Sequence, residues 1–344
     1  MKKITVAVIG VGAVGVELLR ILRQRNFPCE RVRVFARSER DIEIDGHPYH
    51  VEAVEKEEFD GIDIALFAGT EGEKGASTLY ARKFIDRGAV VIDNGNDFRM
   101  DPEVPLVIPE ANRDAIAQHK GLIANPNCTT IQMVVALQGI HRRFGLRRVL
   151  LTSFQATSGG GRKAAQTLWD ETRQLCQQNR ETEHFQEVRC ELPAISGAFS
   201  RQIVCNAIPQ IGGFKEFEYT SEEWKVVNET RKILGDDTIA LSATCVRIPV
   251  FTAHSEAVYF ECGRECSRQQ IAETLAESDG VTFFPAPEQF PVALDAQGGD
   301  AVLVGRLRPD PHRQHAFWLW CVADNLRKGA ALNAVQIAEC LVEH

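Results

Sequence analysis

The sequence predicts an α/β chain of two parts: a Rossmann-type parallel-sheet domain, then an α+β domain built on a mixed or antiparallel sheet. Three observations carry this reading. The chain opens on a strand, a G-x-G-x-x-G turn and a helix. Strand-like apolar runs then alternate with helical stretches as far as Asn94. Past Gly145 that alternation stops and the strands lengthen. A length of 344 residues suits two domains better than one.

The first strand is Ile4–Ile9, followed by Gly10-Val11-Gly12-Ala13-Val14-Gly15 and a helix with Val14, Leu18 and Ile21/Leu22 at helical spacing. Glycines here let backbone approach a pyrophosphate, which sits at the helix N-terminus. Gly10, Gly12, Ala13, Val14 and Gly15 are therefore candidate dinucleotide-binding residues. The next strand, Arg31–Ala36, ends at Arg37-Ser38, where an NAD-specific fold usually carries a carboxylate for the ribose hydroxyls. Arginine and serine suit a 2′-phosphate instead, so NADP is expected over NAD. Ile62–Gly69 reads as a buried strand, Ala76–Arg87 as a helix and Ala89–Asn94 as a strand. Ligands bind outside the carboxyl ends of such strands, so the tips near Gly10, Arg37, Ala68 and Asn94 should share one crevice, with Arg99 beside it.

In the second part, Arg148–Thr157 reads as a strand, Ser158–Gly161 as a glycine loop and Arg162 onward as a helix. Ala243–Phe251 and Glu256–Glu261 read as strands flanking Thr252-Ala253-His254-Ser255. Arg142, Arg143, Arg147 and Arg148 form a small basic cluster, read as a solvated face. Apolar residues make up 44% and charged residues 25%, with a net charge of −8, which argues against a nucleic-acid binder or a basic membrane-surface protein. No apolar stretch nears the ~20 residues of a membrane span, and no signal-peptide pattern is present, so a cytoplasmic protein is expected. The ten cysteines are scattered, so reduced thiols are expected over disulfides. Cys262 and Cys266 have no second pair nearby, and no metal site is expected.

Between the two parts lies Ala124-Asn125-Pro126-Asn127-Cys128-Thr129-Thr130, leading into the apolar run Ile131–Leu137. Asn125, Pro126 and Asn127 are turn and cap residues, which puts Cys128 at a helix start. There, unsatisfied N–H groups and the helix dipole favour thiolate over thiol, and Cys128 is read as a candidate nucleophile. One more buried small hydrophobe is the competing reading.

These residues resemble the aspartate-semialdehyde dehydrogenase family over nearly the whole chain. The resemblance rests on Asn127–Thr130, Phe154–Gly159, Glu222–Lys225, Arg247–Glu256, Val304–Arg308 and Asp324–Gly329, in that order. It implies NADP-dependent, phosphorylating oxidation of an aldehyde, run physiologically as reduction of aspartyl phosphate to the semialdehyde, in the pathway to lysine, threonine and methionine. By this resemblance Cys128 is the nucleophile, His254 the acid/base, and Gln155 orients the reacting centre. Arg247 holds the substrate carboxylate, Glu222 meets the amine, Arg99 and Lys225 bind phosphate, and Asn127 adjoins the substrate. Ser158, Gly159 and Asn325 lie along the cofactor. Residues 1–127 with 325–344 are expected to form the cofactor domain, 128–324 the catalytic and dimerisation domain, and the chain to form a homodimer. General chemistry agrees: cysteine can hold an acyl group as a thioester, a histidine can manage protons near neutrality, and an arginine fork suits a carboxylate.

The chain departs from the family pattern in three places. The loop Gly10-Val11-Gly12 is one residue shorter between its first two glycines. Asn94-Gly95-Asn96-Asp97-Phe98-Arg99 lacks two serines and gains Asp97, which either weakens a phosphate pocket, points away or pairs with Arg99. Thr70–Gly75 lacks the usual serines. Two rivals follow: a sister enzyme with the same thioester chemistry on another acyl phosphate or acyl-CoA, and a non-catalytic homologue that binds cofactor or a partner.

Overall fold

Val6, Ala7 and Val8 are fully buried because β1 (Thr5–Ile9) lies in the middle of a sheet covered on both faces. In the computed structural model, which describes residues 4–69, 72, 74–193 and 197–343, β1 pairs in parallel with β2 (Arg31–Ala36) and with β5 (Ile64–Phe67). Helix α1 (Ala13–Gln24) carries the chain from β1 to β2, so the order reverses between β1 and β5 and leaves a crevice at their carboxyl ends. Helix α2 (Ala76–Ile85) leads to β6 (Val90–Asp93), and the short α3 (Pro109–Asn112) precedes β7 (Leu122–Ala124); both strands continue the parallel run. The expected parallel sheet is present, with an addition. β3 (Arg40–Ile44) and β4 (His47–Ala53) form an antiparallel hairpin that extends the sheet beyond β2. Its turn, Asp45-Gly46, has positive φ at both residues (50° and 77°), the pattern a tight hairpin needs.

Gly10 is required by its surroundings. Its φ is +102°, and a Cβ there would stand 2.8 Å from the Ala68 carbonyl oxygen, so only glycine lets β1 turn into α1 against β5.

Helix α4 (Cys128–Phe144) enters the second half and is buried along nearly its whole length. It packs on one face of a mixed sheet made by β8 (Leu146–Gln155), β9 (Ala240–Arg247), β10 (His254–Cys262), β11 (Val281–Phe283), β12 (Val302–Pro309) and β13 (Ala316–Ala323). Among the described residues this sheet has six strands in the order β11-β12-β13-β10-β8-β9, with β8∥β9 and β11∥β12 and the other pairs antiparallel. Helices α5 (Gly161–Gln178), α6 (Ser221–Leu234), α7 (Arg268–Glu277) and α8 (Ala293–Ala296) complete this part. The last helix, α9 (Leu332–Val342), returns to the first sheet: Leu332, Val335 and Ile337 join Val6, Val8, Leu18 and Ile92 in one buried cluster. Just before it, Arg327 pairs with Glu17 of α1 and with Asp300, and the fully buried Lys328 pairs with Glu110.

The four arginines of the basic cluster are exposed, as expected of a solvated face; Arg142 also donates to the carbonyls of Glu110 and Ala111, and Arg148 pairs with Glu261. Among the described residues no group of three His, Cys, Asp or Glu could hold a metal ion, and no helix is long and apolar enough to cross a membrane. Of the loop Thr70–Gly75, Thr70, Glu71 and Glu73 lie outside the described residues.

Candidate active site

A cavity of about 1110 Å³ runs from the β1–α1 turn to the N-terminus of α4. Gly10, Gly12, Ala13, Val14, Arg37 and Ser38 line one end; Arg99, Asn127, Cys128, Ser158, Gly159, Glu222, Lys225, Arg247 and Asn325 line the other. Gly15 lies beneath the turn and does not line the cavity, while Gln155 and His254 are fully buried behind its wall.

Sheet register brings the chemical groups together. Gln155, the last residue of β8, is the parallel partner of Arg247, the last of β9. His254 opens β10, next to the Ser255–Phe154 pair. Three adjacent strands, β10, β8 and β9, thus deliver one side chain each to the same end of the sheet, and α4 points its first residue at them. Cys128 Sγ lies 3.4 Å from His254 Nε2.

Asn127 caps α4: its Oδ1 accepts from the N–H groups of Thr129 (3.0 Å) and Thr130 (3.3 Å), and its Nδ2 donates to Glu222. This corrects the expectation of a helix-stabilised thiolate. The cap side chain already satisfies the amides that would have solvated the sulfur. Burial and the nearby Glu222 carboxylate push the Cys128 thiol up to about 11, against the opposing pull of Arg247, Arg99 and Lys225. Burial, with Arg247 alongside, holds the His254 imidazole well below its ordinary range, so it is neutral. For Glu222, burial works against charge, but Lys225, the Asn127 amide, Arg247 and Arg99 outweigh it and keep it a carboxylate.

Gln155 Nε2 donates to Thr129 Oγ1 (2.9 Å) and Ser153 Oγ (3.1 Å), with Glu222 Oε1 at 3.4 Å. Arg247 Nη1 donates to the Ala156 carbonyl. Asn325 ties Ser158 Oγ to the N–H of Ala253, a residue at φ 73° that sets the approach to His254. Arg99 is held by Asn125 O, Asn94 O and Glu229 Oε1, while Asp97 accepts from the Gly72 N–H at 3.0 Å. Asp97 therefore leans on the loop opposite, and Glu229 is a carboxylate that meets Arg99.

Three groups escaped the sequence reading. Glu229 is 1% exposed and also accepts from the Asn127 N–H (2.6 Å), so one carboxylate braces both Arg99 and the turn before Cys128. Its spacing of one helical turn from Lys225 on α6 was the available signal. Arg40 lines the cavity beside Arg37 and donates to Ser38 Oγ at 3.0 Å; the hairpin that places it had gone unread. The Ala156 N–H donates to His254 Nδ1, and no side-chain pattern reports a backbone group.

The residues fit a dinucleotide. No side chain caps the N-terminus of α1, leaving its amides directed at the glycine turn, and Glu39, two residues after Arg37 in the sequence, is paired with Lys56.

Two family models match: "Semialdehyde dehydrogenase, NAD binding domain" over residues 5–119 and "Semialdehyde dehydrogenase, dimerisation domain" over 137–328. The chain is 45% identical to an aspartate-semialdehyde dehydrogenase of Aquifex aeolicus, covering 98% of each chain. It is 42% identical to that of Bacillus subtilis, covering 98% of this chain and 96% of the other. Among solved structures it is similar to aspartate semialdehyde dehydrogenase II of Vibrio cholerae complexed with ASA, with TM-score 0.92, 40% identity, and coverage of 100% and 99%.

Proposed function

This chain belongs to the aspartate-semialdehyde dehydrogenase family, and on that premise we propose that it interconverts aspartyl phosphate and aspartate semialdehyde with NADP and phosphate, through a thioester on Cys128. The observation that carries the proposal is the Cys128–His254 pair at 3.4 Å, set between Arg247 on one side and Glu222 with Lys225 on the other. A cation for a carboxylate and an anion for an amine, flanking a thiol, match a substrate that carries both charges.

Each residue has a task. Cys128 attacks the acyl carbon, forming the C–S bond as the C–O bond to phosphate breaks. Arg247 grips the α-carboxylate, Glu222 the amine, and Gln155 holds Thr129 and Glu222 in register around the thioester. Lys225 and Arg99 supply positive charge for phosphate, with Glu229 tempering Arg99. Asn127 acts from its cap, fixing Cys128 and Glu222. Ser158, Gly159 and Asn325 border the nicotinamide end; Gly10 through Gly15 take the pyrophosphate, and Arg37, Ser38 and Arg40 the 2′-phosphate. When bound, the cofactor supplies the hydride.

The assay that tests this is reduced-cofactor formation from aspartate semialdehyde, with and without phosphate, and with NAD in place of NADP. Phosphate-dependent NADPH formation is the expected result; none, from protein that binds NADP, points to another acyl substrate or a non-catalytic homologue. Each arginine contact to the 2′-phosphate is worth about 1.5–3 kcal/mol, roughly 10- to 150-fold. Arg37→Ala with Arg40→Ala should lower kcat/KM for NADP by at least that much and leave NAD nearly unaffected. An equal loss with both cofactors would remove these residues from the 2′-phosphate site.

Gly159 keeps the reacting space open. A Cβ there would stand 2.9 Å from Arg247 Nη1 and 3.1 Å from His254 Nε2. Gly159→Ala is therefore expected to cut kcat by about 10²-fold, the scale of a 1 Å misplacement at a reacting centre. Wild-type turnover in this variant would place the substrate elsewhere.

Two chains are proposed to assemble through the face of the second sheet opposite α4. Leu150, Tyr259 and Trp318 lie in one cross-strand row there, and Leu150 is 41% exposed. A cytoplasmic setting suits its ten free cysteines.

A further inference from the structure

Arg162 and Lys163 open α5 where a helix favours acids. They are its second and third residues, and its first turn holds no Asp or Glu. Cations there oppose the positive end of the helix dipole, so the pair weakens α5. Both side chains are exposed, and among the described residues no carboxylate pairs with either. A local rule broken with no compensating contact marks a residue kept for a ligand.

What Arg162 meets lies in the other half of the chain. Its Nη2 donates to the Val11 carbonyl at 3.5 Å. Val11 belongs to the glycine turn, within the segment that matches the NAD binding domain; Arg162 belongs to the segment that matches the dimerisation domain. Both line the cavity. The backbone aims the side chain: a 3₁₀ turn (Thr157–Gly160) gives way to Gly161, whose φ of +80° is left-handed. Glycine there lets the chain turn into α5, and the first side chain of the helix reaches over to the glycine turn.

We propose that Arg162 is a pyrophosphate clamp: it binds the bridging phosphates of the dinucleotide from the side opposite α1, so that the cofactor ties the two halves of the chain together. The inference rests on the dinucleotide reading of the glycine turn and adds a residue to it, beyond Ser158 and Gly159 of the same segment. The first amides of α1 offer a pyrophosphate hydrogen bonds but only partial charge. A guanidinium fork supplies a full charge and matches phosphate oxygens. Other cations of the cavity are placed elsewhere. Arg37 and Arg40 stand by Ser38, while Arg99, Lys225 and Arg247 act on Cys128. Lys74 and Arg162 remain, and Arg162 is the one whose side chain donates to the glycine turn. Its bond to Val11 is exposed and long, so a phosphate oxygen displaces it. NADP and NAD share the pyrophosphate, so Arg162 serves both alike, unlike Arg37 and Arg40.

Dissociation constants from fluorescence titration test this without turnover. Arg162→Ala should weaken NADP, NAD and ADP-ribose each by about tenfold, the lower end for a charge-assisted hydrogen bond because the residue is exposed. Adenosine 2′-monophosphate, which has no pyrophosphate, should bind variant and wild type equally. Arg162→Lys keeps the charge without the fork and should recover part of the loss. Lys163→Ala removes the same charge one residue on, from a side chain that does not line the cavity, and should leave every ligand unchanged. Both positions are exposed, so the variants fold. Unchanged NADP and NAD affinity in Arg162→Ala, a loss that extends to adenosine 2′-monophosphate, or an equal loss in Lys163→Ala would overturn the proposal. Wild-type protein that binds neither NADP nor NAD would overturn the dinucleotide reading and the clamp with it, a result seen before any variant is made.

Discussion

Cys128→Ala is expected to turn over aspartate semialdehyde at least ~10⁴-fold more slowly than wild type, the scale of deleting a nucleophile, with NADP affinity unchanged. The loss is chemical because the substitution disturbs little else. Alanine is the best helix former, and the α4 cap belongs to Asn127, whose bonds to Thr129 and Thr130 do not involve the residue-128 side chain. Cys128 lies at the far end of the cavity from the glycine turn, so cofactor titration by fluorescence should superimpose on wild type. Turnover surviving in the variant would remove Cys128 from the mechanism.

Arg247→Lys is expected to lower kcat/KM for the semialdehyde by about 10²–10³-fold, most of it in KM, because a buried two-pronged contact becomes a single point charge. Arg247 is 6% exposed and donates to the Ala156 carbonyl, so its guanidinium is held in plane before substrate arrives. Lysine keeps the charge and loses the fork. Steady-state kinetics with semialdehyde varied at saturating NADP and phosphate read this directly. An effect confined to NADP affinity would show that Arg247 is not the carboxylate site.

The fold class was legible in the sequence because its signals are local. A strand, a glycine turn and a helix at Ile4–Leu22 need no partner to be recognised, and the apolar run after Thr130 announces a buried helix. The β3–β4 hairpin carried the clearest local signal that went unread, Asp45-Gly46 between short alternating strands. Strands β11 to β13 were not read as strands, although Ala316–Ala323 is a long apolar run.

The candidate site divides in the same way. Side chains that perform chemistry leave motifs, and Cys128, Gln155, Arg247 and His254 were named in advance and meet at one sheet edge. What tunes them is not local. The state of the Cys128 sulfur depends on Glu222 ninety-four residues on and on the cap that uses up its amides. Asp97 was a suspected partner of Arg99, yet the fold turns it toward Gly72 and supplies Glu229 from α6.

The packing of α9 against β1 and α1 has a consequence for how the protein is made. The ribosome releases α9 after every other described element, so the core beneath the first sheet stays incomplete until residues 332–342 have been made. The second sheet draws its strands from residues 146–323 and can close earlier. Folding during synthesis should therefore run against the order of translation: the later-made sheet matures first, and the glycine turn translated before it is secured last.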